Sequence, residues 1–120
     1  MKLHAKDLMV GDYIQQSATH TVFKVLSISG GEQDTLHYVT ARSDNGNFLS
    51  RCDWDGVPLT AEILEKNFPN TEILVWYKNE DKWHIKCPAF EDLQVEIEIE
   101  CVHQLQHILR LCGIEKEIQL

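Results

Sequence analysis

The first half of the chain contains short runs of β-branched and aromatic residues, which are typical of strands. The runs HTVFKVLSIS and TLHYVTAR are separated by Gly30-Gly31, and NFLSRC follows Asn45-Gly46. Both pairs suit hairpin turns because glycine and asparagine tolerate positive φ. Upstream, DLMVGDYI predicts a turn at residues 11–12 and then a strand from about Tyr13. We expect an antiparallel β meander that curls into a small SH3-like barrel.

A short helix is predicted where this pattern changes, at DGVPLTAEILEKNFPN. Thr60 is a suitable N-cap, and Glu62 places a negative charge in the first turn, where the helix dipole favours it. Asn67 and Pro69 end the helix. Its buried side is expected to consist of Ile63, Leu64 and Phe68.

Alternating apolar and polar residues predict further strands downstream. TEILVWY and KWHIKC flank the turn residues 79–81 and therefore predict a hairpin, in which Trp83 and His84 point to opposite sides. LQVEIEIEC alternates most regularly, so one side of that strand is expected to be buried and the other to be acidic. The acidic side carries Glu96, Glu98 and Glu100.

The segment CVHQLQHILRLCG predicts a longer C-terminal helix that ends at Gly113. At about 100° per residue, the apolar side of this helix consists of Val102, Leu105, Ile108, Leu109 and Cys112. The opposite side consists of His103, Gln106, His107 and Arg110. The following residues, IEKEIQL, are expected to form an edge strand or an ordered tail.

Together these elements predict an α+β fold in a single domain, residues 1–120. A β-rich N-terminal half of about residues 1–56 precedes an α+β half of about residues 57–120. The sequence has no internal repeat and no linker-like tract, so we expect the two halves to share one core.

The composition supports a globular protein. Of the 120 residues, 43% are hydrophobic and 25% are charged, which is ordinary globular usage. The net charge of -8 opposes nonspecific binding to phosphates, so a nucleic-acid partner is not expected. No stretch has the length of a membrane span or of a signal-peptide core, which predicts a cytoplasmic protein without a membrane partner.

Four cysteines are spread along the chain without a CxxC pair. In a cytosolic protein with an adequate core, the default is a reduced and buried thiol. We therefore expect this role for Cys52, Cys87, Cys101 and Cys112.

The cysteines and histidines of the last helix point apart, which excludes a tetrahedral zinc site built within it. His103 and His107 share a side and could chelate a metal weakly, but Gln104 stands where an HExxH motif has glutamate. A third ligand would have to come from His84, His37 or an acidic residue. No metal or cofactor is predicted, and a metal-dependent enzyme that uses His103 and His107 is kept as an alternative.

The sequence contains no phosphate-binding loop, GxSxG motif or Cys/His pair at a catalytic spacing, so no catalytic residue is predicted. DWDG resembles the start of a calcium loop but lacks the later ligands, and we interpret it as a turn. The three tryptophans, Trp54, Trp76 and Trp83, are expected to fill cores.

Three blocks of the chain carry a resemblance to a known family. KDLMVGDYI, VPLTAEILEKN and VHQLQHILRLCG together resemble a family of small uncharacterised Bacteroidetes proteins that are often associated with prophages or other mobile elements. The hallmark VHQLQ corresponds to residues 102–106. The chain departs from the family pattern at Cys101, where a tyrosine is expected, and at Phe68-Pro69, where a Gly-Phe pair is expected. The resemblance implies an accessory role and no particular activity, substrate or cofactor.

The sequence therefore favours a non-enzymatic interaction module that binds a protein partner. The partner is expected to contact either the acidic strand or the polar side of the last helix. That side consists of His103, Gln106, His107 and Arg110. A second alternative is an acidic protein that mimics DNA, because spaced carboxylates can imitate phosphates.

Overall fold

The computed structural model describes residues 3, 7–29, 38–49, 53–69, 74–86 and 96–120. It contains two helices and two antiparallel sheets of five and three strands, which confirms the predicted α+β class. The chain divides into two compact units, Met1–Val57 and Pro58–Leu120, which we call unit 1 and unit 2. Their boundary lies close to the predicted change of composition after residue 56.

Unit 1 is built on the five-stranded sheet. Its strands are β1 (Tyr13–Gln16), β2 (Val22–Ser29), β3 (Tyr38–Ser43), β4 (Phe48–Leu49) and β5 (Trp54–Gly56). Their order in the sheet is β4-β3-β2-β1-β5, with every neighbouring pair antiparallel. The predicted meander is confirmed. The expected barrel closure is not observed among the described strands, because β4 and β5 remain the two edges of an open sheet.

The DWDG segment forms strand β5, so its interpretation as a turn was wrong. Its backbone pairs with β1, from Ile14 opposite Gly56 to Gln16 opposite Trp54. Trp54 is only 5% exposed, and its ring meets that of Phe23 edge-on at 5.3 Å. Long-range pairing and burial of the indole therefore outweigh the turn preference of the flanking Asp and Gly residues.

A β-bulge explains the irregular hydrophobic pattern of β2. The register with β3 shifts between Val25 and Ser27, which leaves Leu26 as the extra residue. Phe23 and Val25 are buried before the bulge, whereas Leu26 is 42% exposed. The buried hydrophobic cluster of this unit consists of Leu3, Leu8, Ile14, Phe23, Val25, Val39, Ala41 and Trp54.

Two turns of unit 1 lie where the sequence predicts them. Gly11 has a φ of 95°, and the Asp12 carboxylate accepts a hydrogen bond of 2.8 Å from the Met9 backbone. Gly46 has a φ of 81° in the turn between β3 and β4. Both predicted turns are confirmed, while the hairpin predicted at residues 30–31 lies outside the described residues.

Unit 2 combines the three-stranded sheet with both helices. In chain order it contains α1 (Ala61–Asn67), β6 (Val75–Asn79), β7 (Lys82–Lys86), β8 (Ile97–Ile99) and α2 (Val102–Leu111). The sheet order is β6-β7-β8, with both pairs antiparallel. No helix in the described part of the chain is long and apolar enough to cross a membrane.

Helix α1 begins and ends as the sequence predicts. The Thr60 hydroxyl accepts a hydrogen bond from the Ile63 backbone at 3.3 Å, the standard N-cap interaction. Leu64 is fully buried and Phe68 is 2% exposed, which confirms the predicted inner side. The helix therefore contributes apolar side chains to the interior of unit 2.

Asn67, at the end of α1, holds the C-terminal segment of the described chain. Its side-chain amide donates to the backbone oxygens of Ile63 at 2.7 Å and Gln119 at 2.8 Å. Its side-chain oxygen accepts from the Gln119 backbone at 2.7 Å. Asn67 and Ile118 are both buried. Residues 114–120 therefore form the ordered tail that was one of the two predicted alternatives.

Strands β6 and β7 form the predicted hairpin through a two-residue turn. Glu80 and Asp81 have φ values of 52° and 66°. Positive φ at both central residues defines a type I′ turn, whose twist matches that of the flanking strands. The turn fixes the register, from Asn79 opposite Lys82 to Tyr77 opposite His84.

Helix α2 is capped at both ends. The Gln104 side-chain oxygen accepts from the backbone N–H groups of Glu100 at 2.8 Å and Cys101 at 3.0 Å, one half of a capping box. At the other end Gly113 has a φ of 68°, and the Ile114 backbone donates to Leu109 at 2.8 Å. These contacts form a Schellman motif, which confirms the predicted helix end.

Cys101 and Cys112 are buried, reduced thiols, as predicted. Cys52 and Cys87 lie outside the described residues. The buried hydrophobic residues of unit 2 also include Leu59, Leu74, Trp83, Ile85, Ile99, Val102, Leu105, Ile108 and Leu109.

Candidate interaction surfaces

The polar side predicted for α2 is only partly exposed. His103 is 3% exposed and Gln106 is 8% exposed, whereas His107 is half-buried and Arg110 is exposed. The expectation of a surface position was therefore wrong for His103 and Gln106. Helical periodicity shows which residues share a side, but it does not show that only one side of the helix is covered. A partner-binding role for His107 and Arg110 stays a prediction.

Four residues of the VHQLQ block are buried, and the fifth caps the helix. Val102 and Leu105 are fully buried, and His103 and Gln106 lie in the interior with them. Gln104 caps the helix through the two hydrogen bonds described above. The block therefore specifies how α2 begins and packs.

The two histidines of α2 contact each other without assembling a metal site. Their ring centroids are 5.7 Å apart, with the rings nearly perpendicular. Among the described residues, no group of three His, Cys, Asp or Glu side chains could hold a metal ion. His84 lies on β7 beside two glutamates, and His37 lies outside the described residues.

The outer side of the three-stranded sheet collects polar and aromatic side chains, and we call it the open face. It is defined by Tyr77 on β6, by Lys82 and His84 on β7, and by Glu96 and Glu98 at β8. The cross-strand pairs Tyr77–His84 and His84–Glu98 align three of these residues in one row across the sheet. Strand alternation places them together, because residues two apart share a face.

A stacked ring pair lies at the centre of the open face. The rings of Tyr77 and His84 are 4.9 Å apart between centroids and only 7° from parallel. Tyr77 is 44% exposed, while the His84 side chain is 11% exposed. The imidazole therefore supports one side of the tyrosine ring, and the tyrosine presents an ordered aromatic surface to solvent.

Two carboxylates flank the stacked pair. Glu96 Oε2 lies 3.6 Å from His84 Nδ1, and Glu98 Oε1 lies 3.9 Å from His84 Nε2. A side-chain hydrogen bond between Tyr77 and Glu96, followed by desolvation and the charges of Glu96 and Glu98, raises the pKa of the Tyr77 hydroxyl above its ordinary value. The phenol, the imidazole and the carboxylates thus form one connected cluster.

Lysines also border the Tyr77–His84 pair, because Lys82 and Lys86 flank His84 on the same side of β7. Lys82 Nζ lies 3.9 Å from Glu98 Oε2, and both side chains are about half exposed. An exposed pair at this distance contributes little to stability, because water screens it and both side chains lose rotamer freedom. The open face therefore carries charges of both signs.

The inner side of the same sheet holds it in place. The Trp83 indole donates to the Leu59 backbone oxygen at 2.8 Å, and its ring meets that of Trp76 edge-on at 5.8 Å. Ile85 is fully buried on the same side. The predicted core role of Trp83 is confirmed, and Trp76 is half-buried beside it. The open face is consequently displayed on a rigid support.

Unit 2 also contains an open groove between the end of α1 and the start of β6. It has a volume of about 360 Å³. Its lining consists of Glu65, Phe68, Pro69, Val75 and Trp76. The Trp76 indole N–H donates to the Phe68 backbone oxygen at 3.3 Å, so this donor already has an acceptor within the protein.

The Tyr77–His84 pair was not predicted from the sequence, although a signal for it was present. A two-residue turn at Glu80 and Asp81 pairs residues 79 with 82 and 77 with 84. When the turn is assigned to these two residues of the polar run 79–81, Tyr77 lies directly opposite His84. The acidic side of the last strand was predicted, and Glu96, Glu98 and Glu100 are all exposed.

Comparison of the chain with protein-family models, with curated proteins and with solved structures finds no match. The resemblance carried by the three sequence blocks therefore stays a prediction.

Proposed function

We propose that this chain is a non-enzymatic protein-interaction module and that its partner docks on the open face. The observation that carries the proposal is the stacked Tyr77–His84 pair, in which the tyrosine is 44% exposed and charged side chains lie around it. Tyrosine is enriched in protein interfaces because it offers a large contact area at a low cost in conformational entropy.

The arrangement of the open face favours binding for a second reason. His84 holds the Tyr77 ring from one side, so little rotamer freedom remains to be lost when a partner covers the ring. Glu96, Glu98 and Lys82 surround the pair with charges that can select among partners. An aromatic centre with a polar rim is the usual anatomy of a binding hot spot.

The two alternative functions have less support. A metal-dependent enzyme would need a third ligand beside His103 and His107, and the described residues do not supply one. A DNA mimic would present carboxylates without nearby cations, yet Lys82 lies within ion-pair distance of Glu98. Neither alternative accounts for a rigid aromatic pair on an exposed sheet.

The resemblance to proteins of prophages and mobile elements is compatible with this proposal. An accessory protein of such an element would act by binding a host or phage protein. His107 and Arg110 are accessible on α2 and provide a second, smaller surface for the same partner.

The test is affinity capture from a lysate of the source organism with the immobilised chain. The wild type should capture a defined protein, and Tyr77→Ala should lose it. Phe48→Ala is the matched control, because Phe48 is an exposed aromatic residue on a strand of the other unit, at 61% exposure. Circular dichroism should show that both variants are folded.

Two results would contradict the proposal. One is a partner list that Tyr77→Ala and Phe48→Ala change equally. The other is a partner list that neither substitution changes while Arg110→Ala removes the main partner, because binding would then depend on α2.

A further inference from the structure

We propose that the open face recognises an arginine side chain of the partner protein, which stacks on Tyr77 and pairs with Glu96. This inference rests on the proposed function, because it names the chemistry that the open face would bind. Three features support it: the accessible ring, the carboxylate beside it and the shape of the cation.

The ring of Tyr77 has accessible surface for a cation. His84 lies parallel to it at 4.9 Å, and the residue still exposes 44% of its surface. A cation attracted to the π-system of an aromatic ring is stabilised by the ring quadrupole.

Glu96 supplies the negative partner beside this ring. Its side chain is 44% exposed, and its closest approach to the His84 ring nitrogen is 3.6 Å, longer than a hydrogen bond. The carboxylate therefore keeps acceptor capacity for an incoming donor. Glu98 lies on the other side of the imidazole, 3.9 Å from Lys82 Nζ, so Glu96 is the carboxylate assigned to the incoming cation.

The geometry favours arginine over lysine. A guanidinium is planar, so it can lie on the tyrosine ring while its N–H groups point along the ring plane to a carboxylate. A lysine ammonium can make only one of these contacts well. Lys82 lies 3.9 Å from Glu98 and is 49% exposed, so it does not occupy the Tyr77–Glu96 position.

The experiment titrates the isotope-labelled full-length chain with two short, blocked peptides that differ only in carrying two arginines or two lysines. NMR shifts of the Tyr77 and His84 ring signals report binding at the open face. The arginine peptide should move both signals and bind at least about threefold more tightly than the lysine peptide, because only the guanidinium makes both contacts.

Matched glutamate variants separate the site from general charge attraction. Glu96→Gln should weaken binding of the arginine peptide about five- to tenfold, the loss expected for one charge-assisted contact. Glu62→Gln is the control, because it removes the same charge from an exposed position on α1 and should leave the affinity unchanged. Tyr77→Phe keeps the ring and should cost about twofold.

The inference is overturned if the two peptides bind equally, if Glu62→Gln weakens binding as much as Glu96→Gln, or if the ring signals do not move. Failure here is distinguishable from failure of the proposed function. A partner captured through Tyr77 by a chain that ignores the arginine peptide would overturn only the arginine assignment. Binding of the peptide without any Tyr77-dependent partner would support the site and contradict the module.

Discussion

Unit 2 places polar side chains in two contrasting settings. Around its helices, His103, Gln106 and Asn67 are buried. The side chain of Asn67 forms hydrogen bonds with backbone groups of Ile63 and Gln119. On the open face, Tyr77 and His84 are also in contact with each other, but the tyrosine remains 44% exposed. The same residue types therefore stabilise the fold in one region and form a surface in the other.

The difference shows why a polar residue in the sequence does not by itself indicate a site. A helix that is covered on more than one side buries polar residues along with apolar ones. A strand with one covered side separates the two kinds strictly, because its side chains alternate. Polar residues on half-buried strands are thus better candidates for binding than polar residues on a mostly buried helix.

Matched histidine substitutions test this contrast most strongly. His103→Ala should lower the free energy of unfolding by about 2–3 kcal/mol, because it leaves a cavity in the interior. His84→Ala should cost less, about 1 kcal/mol, because the main contact that it removes is the ring stack with the exposed Tyr77. Urea denaturation of both variants measures the difference. Equal losses would mean that the buried and open regions are not distinct.

Matched asparagines provide the next test. Asn67→Ala should lower the free energy of unfolding by about 2 kcal/mol, since it removes three partly buried hydrogen bonds to the backbone. Asn79→Ala, at an exposed position of β6, should change it by less than about 0.5 kcal/mol.

Hydrogen exchange gives the local readout for the same pair. The Gln119 amide donates to Asn67, so it should exchange faster in Asn67→Ala and at the wild-type rate in Asn79→Ala. Unchanged protection of Gln119 in Asn67→Ala would show that other contacts of the tail, such as the burial of Ile118, hold it in place.

The capping residue of α2 has a smaller expected effect. Gln104→Ala should cost about 1 kcal/mol, because the backbone N–H groups of Glu100 and Cys101 lose their acceptor. Gln104→Glu keeps an acceptor and adds a negative charge at the helix N-terminus, so it should retain wild-type stability. Thermal unfolding of the two variants checks this order, and a loss in both would contradict the capping role.

The smallest effect concerns the titration of Tyr77. The carboxylate of Glu96 raises the pKa of its hydroxyl above the ordinary 10.0, so the neutral phenol is favoured in the folded state. Its contribution to stability is present below pH 10 and is lost as the pH rises through the raised pKa. Glu96→Gln should lower that pKa, which NMR titration of the Tyr77 ring measures. An unchanged pKa of Tyr77 in Glu96→Gln would show that Glu96 does not act on the tyrosine hydroxyl.

Local sequence signals predicted most of the elements but few of the long-range contacts. Thr60, Gly46 and Gly113 act through neighbouring residues, so their turns and helix ends were predicted correctly. Strand β5 was missed because its pairing with β1 joins residues about forty positions apart. The burial of His103 was missed because the periodicity of a helix does not reveal how many sides its neighbours cover.

The candidate site could be predicted only in part for the same reason. The acidic side of β8 follows directly from alternation, and the structure places Glu96 and Glu98 beside His84. The ring stack depends on the register of a different strand pair, which a one-residue change in the turn would have altered. Residues that form a site across strands are therefore predictable once the turn between them is assigned.

The turn between β6 and β7 has one more implication. Glu80 and Asp81 both adopt left-handed backbone conformations that most side chains disfavour. An Asn-Gly pair adopts this turn more readily. Replacing the two residues would accordingly give a more heat-resistant hairpin while the side chains of the open face stay in place, which makes this corner a suitable point for stabilising the protein.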